Sequence, residues 1–430
     1  MIKAKPRTAI DFKNISTYAK SSFWKNPVEC ATNGQFSKSL EIQPRDPVTM
    51  SSRDSVLLRN GRVLSADGEI VVRDLHLRDG VISEDLESAA VTLDCTDLLV
   101  LPGIVDVHGD AFERELMPRP GVGVDFPVAM ASVDAQLLAN GISTAFHGLT
   151  ISWEPGLRSL DAGRQFMKRF ASSRASFRAD HRVQLRWETF AHAAVNDVVG
   201  WMAMDPKPAV AFNDHTTSTL NKIASGQHQK LDQWSQRAGM TSQDYIAAVE
   251  DVAALAPCTP SKIATIAEVA RLNDVVLLSH DDRTLKDREE YRALGADVCE
   301  FPLTMEAASS AIEHGEPTVL GAPNVMRGGS HTGALSAEDA IRDGLCTILA
   351  SDYFYPSLMA AVARLVDRGV TGLEAAWALV SKNPAAAMGL TDRGSISPGK
   401  RADLILVDFA DHPQVIATIV EGKIALRLSA

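Results

Sequence analysis

Residues 101–114 read LPGIVDVHGDAFER. An apolar run from Leu101 to Val107 leads straight into His108, Gly109 and Asp110, so a strand with a buried character ends in an imidazole and a carboxylate. Alternate side chains of an extended strand share a face, which points His108 and Asp110 the same way and places Asp106 one step deeper. Imidazole plus carboxylate is a ligand pair suited to zinc or manganese. One His-x-Asp at a strand end is weak evidence taken alone, and its weight depends on what the other strands of the chain deliver.

Downstream, apolar strands alternate with amphipathic segments, a pattern of βα units around a parallel sheet. Eight strands are expected, near 103–108, 142–149, 182–189, 208–214, 274–280, 296–301, 316–321 and 345–351. Eight is the number that closes a (β/α)8 TIM-like barrel. The segments between them carry helical spacing, as in Leu157, Leu160, Phe166, Met167 and Phe170, or Ile263, Ile266, Val269 and Leu272. The longest insert, Thr219 to Cys258, reads as helical and is expected over the active-site end.

Both flanks of this region have a different texture. From Ser55 to about Val100, VLLRNGRVL, IVVRDLHLRDGVI and AVTLDC alternate and are broken by Asn-Gly and Asp-Gly turn signals. Gly394 to Arg427 repeats that texture, with a Glu-Gly turn between two apolar runs. Two such segments at opposite chain ends can pair into one small β-sandwich. The expected organisation is therefore a tail over 1–54, the N-terminal portion of the sandwich over 55–100, the barrel over 101–390 and the C-terminal portion of the sandwich over 391–430. The tail is polar, lacks periodicity and carries too little apolar surface to offset the entropy of ordering, so it is expected to be flexible. Met50, just before the first hairpin, reads as an alternative start, which N-terminal mass spectrometry would test.

In a barrel of this kind chemistry sits where strands end. The first strand ends in His108 and Asp110, the third in Glu188, the fourth in Asp214 and His215, the fifth in His280 and the last in Asp352. Such a set is expected to hold two divalent ions, zinc or manganese, that generate hydroxide at neutral pH. Glu188 is the candidate bridge between the ions. Asp352 is the candidate general acid-base, orienting the hydroxide and carrying its proton to the leaving group. His147, at the end of the second strand, is a candidate for substrate contact or for simple packing. His76, His181, His192, His228, His314 and His412 lie away from strand ends and read as surface or packing residues.

Two segments look built for an anion. MPRPGVG holds Arg119 between prolines, and GAPNVMRGGSHTGALSA holds Arg327 beside Gly328, Gly329, Ser330 and His331. Glycines free the backbone amides to turn toward a ligand, and an arginine fork matches phosphate bidentately. The plain alternative is a glycine turn with a surface arginine. Arg186, two residues before Glu188, reads as a structural partner for that acid.

The 430 residues, 45% hydrophobic and 23% charged, describe an ordinary globular chain of one large domain and a satellite. A net charge of -11 argues against nucleic acid as a bulk partner. Five cysteines are scattered and odd in number, without Cys-x-x-Cys spacing, which suggests reduced thiols in the cytoplasm. No run approaches the ~20 apolar residues needed to cross a bilayer. A homodimer is compatible with such a barrel, although no segment identifies an interface.

These residues resemble the amidohydrolase superfamily and, more narrowly, the PhnM family of the phosphonate-degrading carbon-phosphorus lyase pathway. The resemblance runs from about Ser55 to the C-terminus through LPGIVDVHGDAFE, PRPGV, GISTAFHG, RWE, NDHT, LSHDD, EFPLTMEAA, GAPNVMRGGSH, ASDYFYPSLM and PGKRADLILVD. The last motif is general to amidohydrolases, whereas EFPLTMEAA together with GAPNVMRGGSH is specific to PhnM. The resemblance implies a binuclear metal-dependent diphosphatase acting on a small phosphorylated ribosyl phosphonate, with His108, Asp110, Glu188, His215, His280 and Asp352 as the metal centre. The chain departs from common patterns in having His-x-Asp for His-x-His, Glu188 in place of a carboxylated lysine, TTSTLNK after His215, and Ala334 where asparagine is common. The two later histidines fall one strand earlier than is usual, so either a strand is missing from the count or this branch differs. Two other readings stand beside this one: a deaminase or deacetylase acting on a carbon-nitrogen bond, and a non-catalytic barrel serving as a scaffold.

Overall fold

A computed structural model of the chain describes residues 55–84, 89–226, 231–329, 335–409 and 412–428. The tail over 1–54 lies outside the described residues. Five strands come first: β1 (Ser55–Leu64), β2 (Ile70–Arg78), β3 (Val81–Ser83), β4 (Val91–Asp94) and β5 (Leu99–Pro102). Eight follow at all the expected places: β6 (Ile104–Gly109), β7 (Ile142–Ile151), β8 (Asp180–Glu188), β9 (Ala209–Asn213), β10 (Leu277–His280), β11 (Val298–Glu300), β12 (Thr318–Gly321) and β13 (Ile348–Ala350). Three close the chain: β14 (Leu404–Asp408), β15 (Gln414–Val420) and β16 (Lys423–Arg427).

Strands β6 to β13 lie side by side in chain order and are all parallel. The last returns to the first through a bridge between Gly109 and Asp352, which closes the barrel. Asp106 reinforces that seam, accepting hydrogen bonds from the Ser351 N–H at 3.0 Å and the Ser351 hydroxyl at 2.5 Å. Small and branched residues fill the interior, among them Val105, Val107, Ala209, Ala211, Leu278, Val298, Val319 and Ile348, with Met388 and Leu390 packed against them. A filled barrel of this kind has a core rather than a pore, and its chemistry is confined to the rim.

The second sheet is made from both ends of the chain, because β5 pairs antiparallel with β14. A bulge between Leu58 and Gly61 lets β1 pair with β4 in its first half and with β5 in its second. Asn60 occupies the left-handed region there at φ 59°, a conformation asparagine tolerates better than most residues. Val56, Leu58, Leu75, Leu77, Val100, Leu404 and Ile419 form the core of this unit. The fold is thus the expected TIM-like barrel with a sandwich unit drawn from both chain ends.

Helices Leu231–Ala238 and Ser242–Ala253 lie in the long insert and pack through Leu231, Tyr245 and Val249 against Trp153, just beyond β7. Glu154 ties them down, accepting from Tyr245 Oη at 2.6 Å and Arg237 Nη2 at 2.7 Å. No described helix is long and apolar enough to cross a membrane.

Candidate metal centre

The rim at the C-terminal ends of the strands gathers three sets of possible ligands: two that share no residue with each other, His108, Asp110 and Asp352, and His215, His280 and Asp281, and a third of His108, His280 and Glu300. Within each set one ligand atom per residue lies within 4.8 Å of the others. Nitrogen and carboxylate oxygen donors in threes are what a divalent transition-metal site requires. The first set comes from the two strands that meet at the barrel seam. Asp352 N–H donates to the His108 carbonyl at 2.9 Å, and Asp110 N–H donates to the Asp352 carbonyl at 2.8 Å. The second set combines the first residue of helix His215–Ala224 with the end of β10 and the residue after it.

Glu300, the last residue of β11, lies beneath the first two sets with no exposed surface. Its carboxylate accepts from His108 Nδ1 at 3.0 Å, His280 Nδ1 at 2.7 Å and Gln184 Nε2 at 2.6 Å. Burial works against its charge, but the two histidines outweigh it and hold the carboxyl well below the usual carboxylate range. An ionised Glu300 fixes the proton of each ring on Nδ1 and leaves Nε2 as the coordinating nitrogen, the way an outer carboxylate orients a metal-binding histidine. The His108 and His280 rings stack with centroids 5.7 Å apart. Phe301 meets both edge-on at 5.0 and 5.3 Å and provides an apolar floor.

Asp352 has its pKa pushed up to about 6, by burial first and by the neighbouring negative charge of Asp110 second. His215 is pushed down to about 4 by burial within the surrounding protein, which keeps its ring neutral and able to coordinate.

Glu188 does not join any of these sets. Its oxygens are taken by the start of helix His215–Ala224: the N–H of His215 at 3.0 Å, the N–H of Thr216 at 3.2 Å and the Thr216 hydroxyl at 2.7 Å. Burial pushes its pKa up to about 8, against the pull of those bonds. The reason lies in strand geometry: Gln184, Arg186 and Glu188 share a face of β8, and each step of two residues rises ~6.6 Å. Gln184 meets Glu300 and Arg186 meets His280 at 3.0 Å, so Glu188 rises past both of them to the helix. The expected bridge between ions is accordingly replaced by a carboxylate that anchors a helix N-terminus. Asp214 caps the same helix by accepting from Thr217 N–H at 2.8 Å.

Of the two readings of His147, substrate contact and packing, the geometry matches packing. Gly148 is the inward residue of β7, where an added Cβ would stand 3.3 Å from the His108 ring, so His147 faces outward. There its Nε2 lies 2.9 Å from His181 Nδ1, and His181 Nε2 lies 3.1 Å from Asp134. Phe112 and Phe170 cover the ring, which has no exposed surface.

Arg119 stands in an exposed turn closed by Val122 N–H to its carbonyl at 2.9 Å. Arg327 is exposed at the end of helix Ala322–Arg327, with Gly328 in the left-handed region at φ 74° and Gly329 following. Ser330, His331 and Ala334 lie outside the described residues. Three rim residues not singled out as ligands or anion contacts now enter: Asp281, Glu300 and Arg186. Glu300 carried the signal used for the other strands, a charged residue at the end of an apolar run.

The amidohydrolase family model matches residues 164–425. Over 371 residues the chain is 32% identical to the α-D-ribose 1-methylphosphonate 5-triphosphate diphosphatase of Escherichia coli strain K12, covering 83% of this chain and 96% of that protein. Among solved structures, a dihydropyrimidinase from Brevibacillus agri aligns with TM-score 0.52 at 14% identity, covering 87% of this chain and 95% of that one. A Xanthomonas campestris adenosine deaminase aligns with TM-score 0.55 at 14% identity, covering 86% and 93%. These two likenesses concern the fold alone.

Proposed function

The chain belongs to the amidohydrolase family and, within it, to the PhnM family, and from that premise we propose that it hydrolyses α-D-ribose 1-methylphosphonate 5-triphosphate to the 5-phosphate and pyrophosphate. The observation that carries this reading is the pair of non-overlapping ligand sets on one rim, in a chain that matches the E. coli diphosphatase over 83% of its length. The two sets suit two divalent ions, zinc or manganese. When bound, such ions supply Lewis acidity, which lowers the pKa of water from ~16 to ~7 and polarises a phosphoryl oxygen.

The chain's own groups perform the proton work. Before any ion binds, burial and the neighbouring Asp110 raise the Asp352 pKa to about 6, and this carboxylate is the group we assign to hold the proton in transit. Water adds to phosphorus, Asp352 takes its proton, the bond from phosphorus to the leaving pyrophosphate breaks, and the proton passes to the pyrophosphate oxygen. Glu300 keeps His108 and His280 in one tautomer throughout, and Phe301 packs edge-on against both rings. The free thiols of Cys95, Cys258, Cys299 and Cys346 suit the reducing cytoplasm, where we place the reaction.

Phosphorus NMR of the metal-loaded protein with the ribosyl methylphosphonate triphosphate tests the reading. Stoichiometric pyrophosphate is expected. Release of ammonia or acetate from other substrates, with the triphosphate left intact, would move the chain to carbon-nitrogen chemistry.

A further inference from the structure

Among the described residues, Arg186 is the one buried arginine of the rim whose charge lacks a carboxylate at bonding distance. It is 5% exposed. Its nearest described carboxylate oxygen is Asp110 Oδ2, 3.9 Å from Nη1. Its described hydrogen bond goes to an imidazole, Nη2 to His280 Nε2 at 3.0 Å, and its Nε–H is buried without a partner. The other two buried arginines among the described residues are paired: Arg288 with Asp282 and Glu316 at 2.9 Å each, and Arg393 with Asp180 at 2.7 Å. A buried cation held this far from its nearest counter-charge is poorly compensated. A protein that pairs its other buried arginines leaves this one open at the centre of its rim.

The position is specific as well as weakly paired. Arg186 touches His280 of one ligand set and stands beside Asp110 of the other. Its charge also reaches His108, His215, Asp281 and Asp352. The nitrogen it holds, His280 Nε2, is the one that a cation in the second set would take, so occupation of that set frees the guanidinium fork. Gly148 gives it room, since an added Cβ there would come within 3.2 Å of Arg186 Cδ.

We infer that Arg186 is the anion-recognising group of this rim, its fork donating to the non-bridging oxygens of the phosphoryl group whose bond breaks. The inference rests on the phosphoryl-transfer reading for the identity of that group. A planar fork pairs bidentately with a phosphoryl group, and it gains strength as charge accumulates on those oxygens during bond cleavage. The same guanidinium would have no counter-charge in a complex with a neutral amide or nucleobase. It therefore selects among substrates by charge. Arg119, in an exposed turn, and Arg327, at an exposed helix end, would meet a substrate only at the periphery of this rim.

The test uses the full, metal-loaded chain with inorganic tripolyphosphate as probe, read by titration calorimetry, alongside metal content and turnover of the ribosyl triphosphate. Arg186→Met is expected to weaken tripolyphosphate binding about 30-fold or more, to retain at least the wild-type metal content, and to lower kcat roughly 10²- to 10³-fold. Arg186→Lys keeps the charge but loses the fork, and is expected to fall between wild type and Arg186→Met in both readouts. It also decides the matter should Arg186→Met fail to fold. Tripolyphosphate binding that is unchanged in the folded variant, or undetectable in the wild type, overturns the inference even if the wild type releases pyrophosphate. Binding that depends on Arg186 supports it even if the ribosyl triphosphate is not cleaved, in which case only the functional reading fails.

Discussion

The backbone of Asp352 pairs with that of His108, its N–H donating to the His108 carbonyl at 2.9 Å. This bond lies on the seam where the eighth barrel strand meets the first, so closing the barrel and aligning the first ligand set are one event. Asp352 adopts φ 55°, a region open to aspartate and asparagine and costly for branched side chains.

Asp352→Asn should therefore fold and close the barrel as the wild type does, while losing the group that accepts the proton. The expected outcome is an unchanged melting temperature and a fall in kcat of roughly 10²- to 10⁴-fold, measured with metal at saturation. Turnover within about threefold of wild type would remove Asp352 from the proton path.

Glu300→Gln keeps the shape but takes away the charge that locks both rings. Loss of an outer partner of this kind typically weakens metal binding ~10- to 100-fold. Competition with a chromophoric chelator would measure it, and an affinity equal to wild type would reduce Glu300 to a packing role.

Gly148→Ala places a methyl group 3.2 Å from Arg186 Cδ and 3.3 Å from the His108 ring. His108 is pinned by Glu300 and cannot yield freely. Overpacking of this kind costs ~1–3 kcal/mol, seen by urea unfolding, and turnover should drop with it. Full activity in the variant would mean that the rim is softer than its packing suggests.

His147 is buried in an apolar shell beside His181, and both burial and the neighbouring ring lower its pKa well below 6.5. In the native state it stays neutral, while in the unfolded chain it gains a proton as pH falls below about 6.5, so its presence lowers stability on the acid side. Stability is therefore expected to fall as the pH drops below about 6.5. His147→Leu should flatten that region of the stability curve, and an unchanged slope between pH 7 and 5 would contradict the assignment.

Strand ends were the legible feature of this chain. Each barrel strand is a short apolar run bounded by polar loops, so all eight could be located, and the count leaves no strand missing. His215 follows the fourth strand and His280 ends the fifth, the placement that the alternative of a divergent branch anticipated. Height within the rim was not legible. Whether Arg186 or Glu188 faces the ligands depends on how far β8 rises past its neighbours, which register and tilt decide and local pattern does not. His147 carried the same strand-end signal as His108 yet faces outward, because the inward place on β7 is filled by glycine, a residue that leaves no polar mark. Glu300 carried the strand-end signal as well, but its role lies in bonds to His108 on the first barrel strand and to His280 on the neighbouring one, which no local spacing foretells.

The pairing of β5 with β14 has a bearing on synthesis. Strand β5 leaves the ribosome before the whole barrel, and its partner follows roughly 300 residues later, a wait of roughly 15–60 s at ordinary elongation rates. During that interval the nascent chain carries an open β edge, the kind of template that recruits other chains. Premature termination anywhere ahead of Leu404 would make that exposure permanent, so truncated products of this protein should be cleared or aggregated far more readily than the length they lack would suggest.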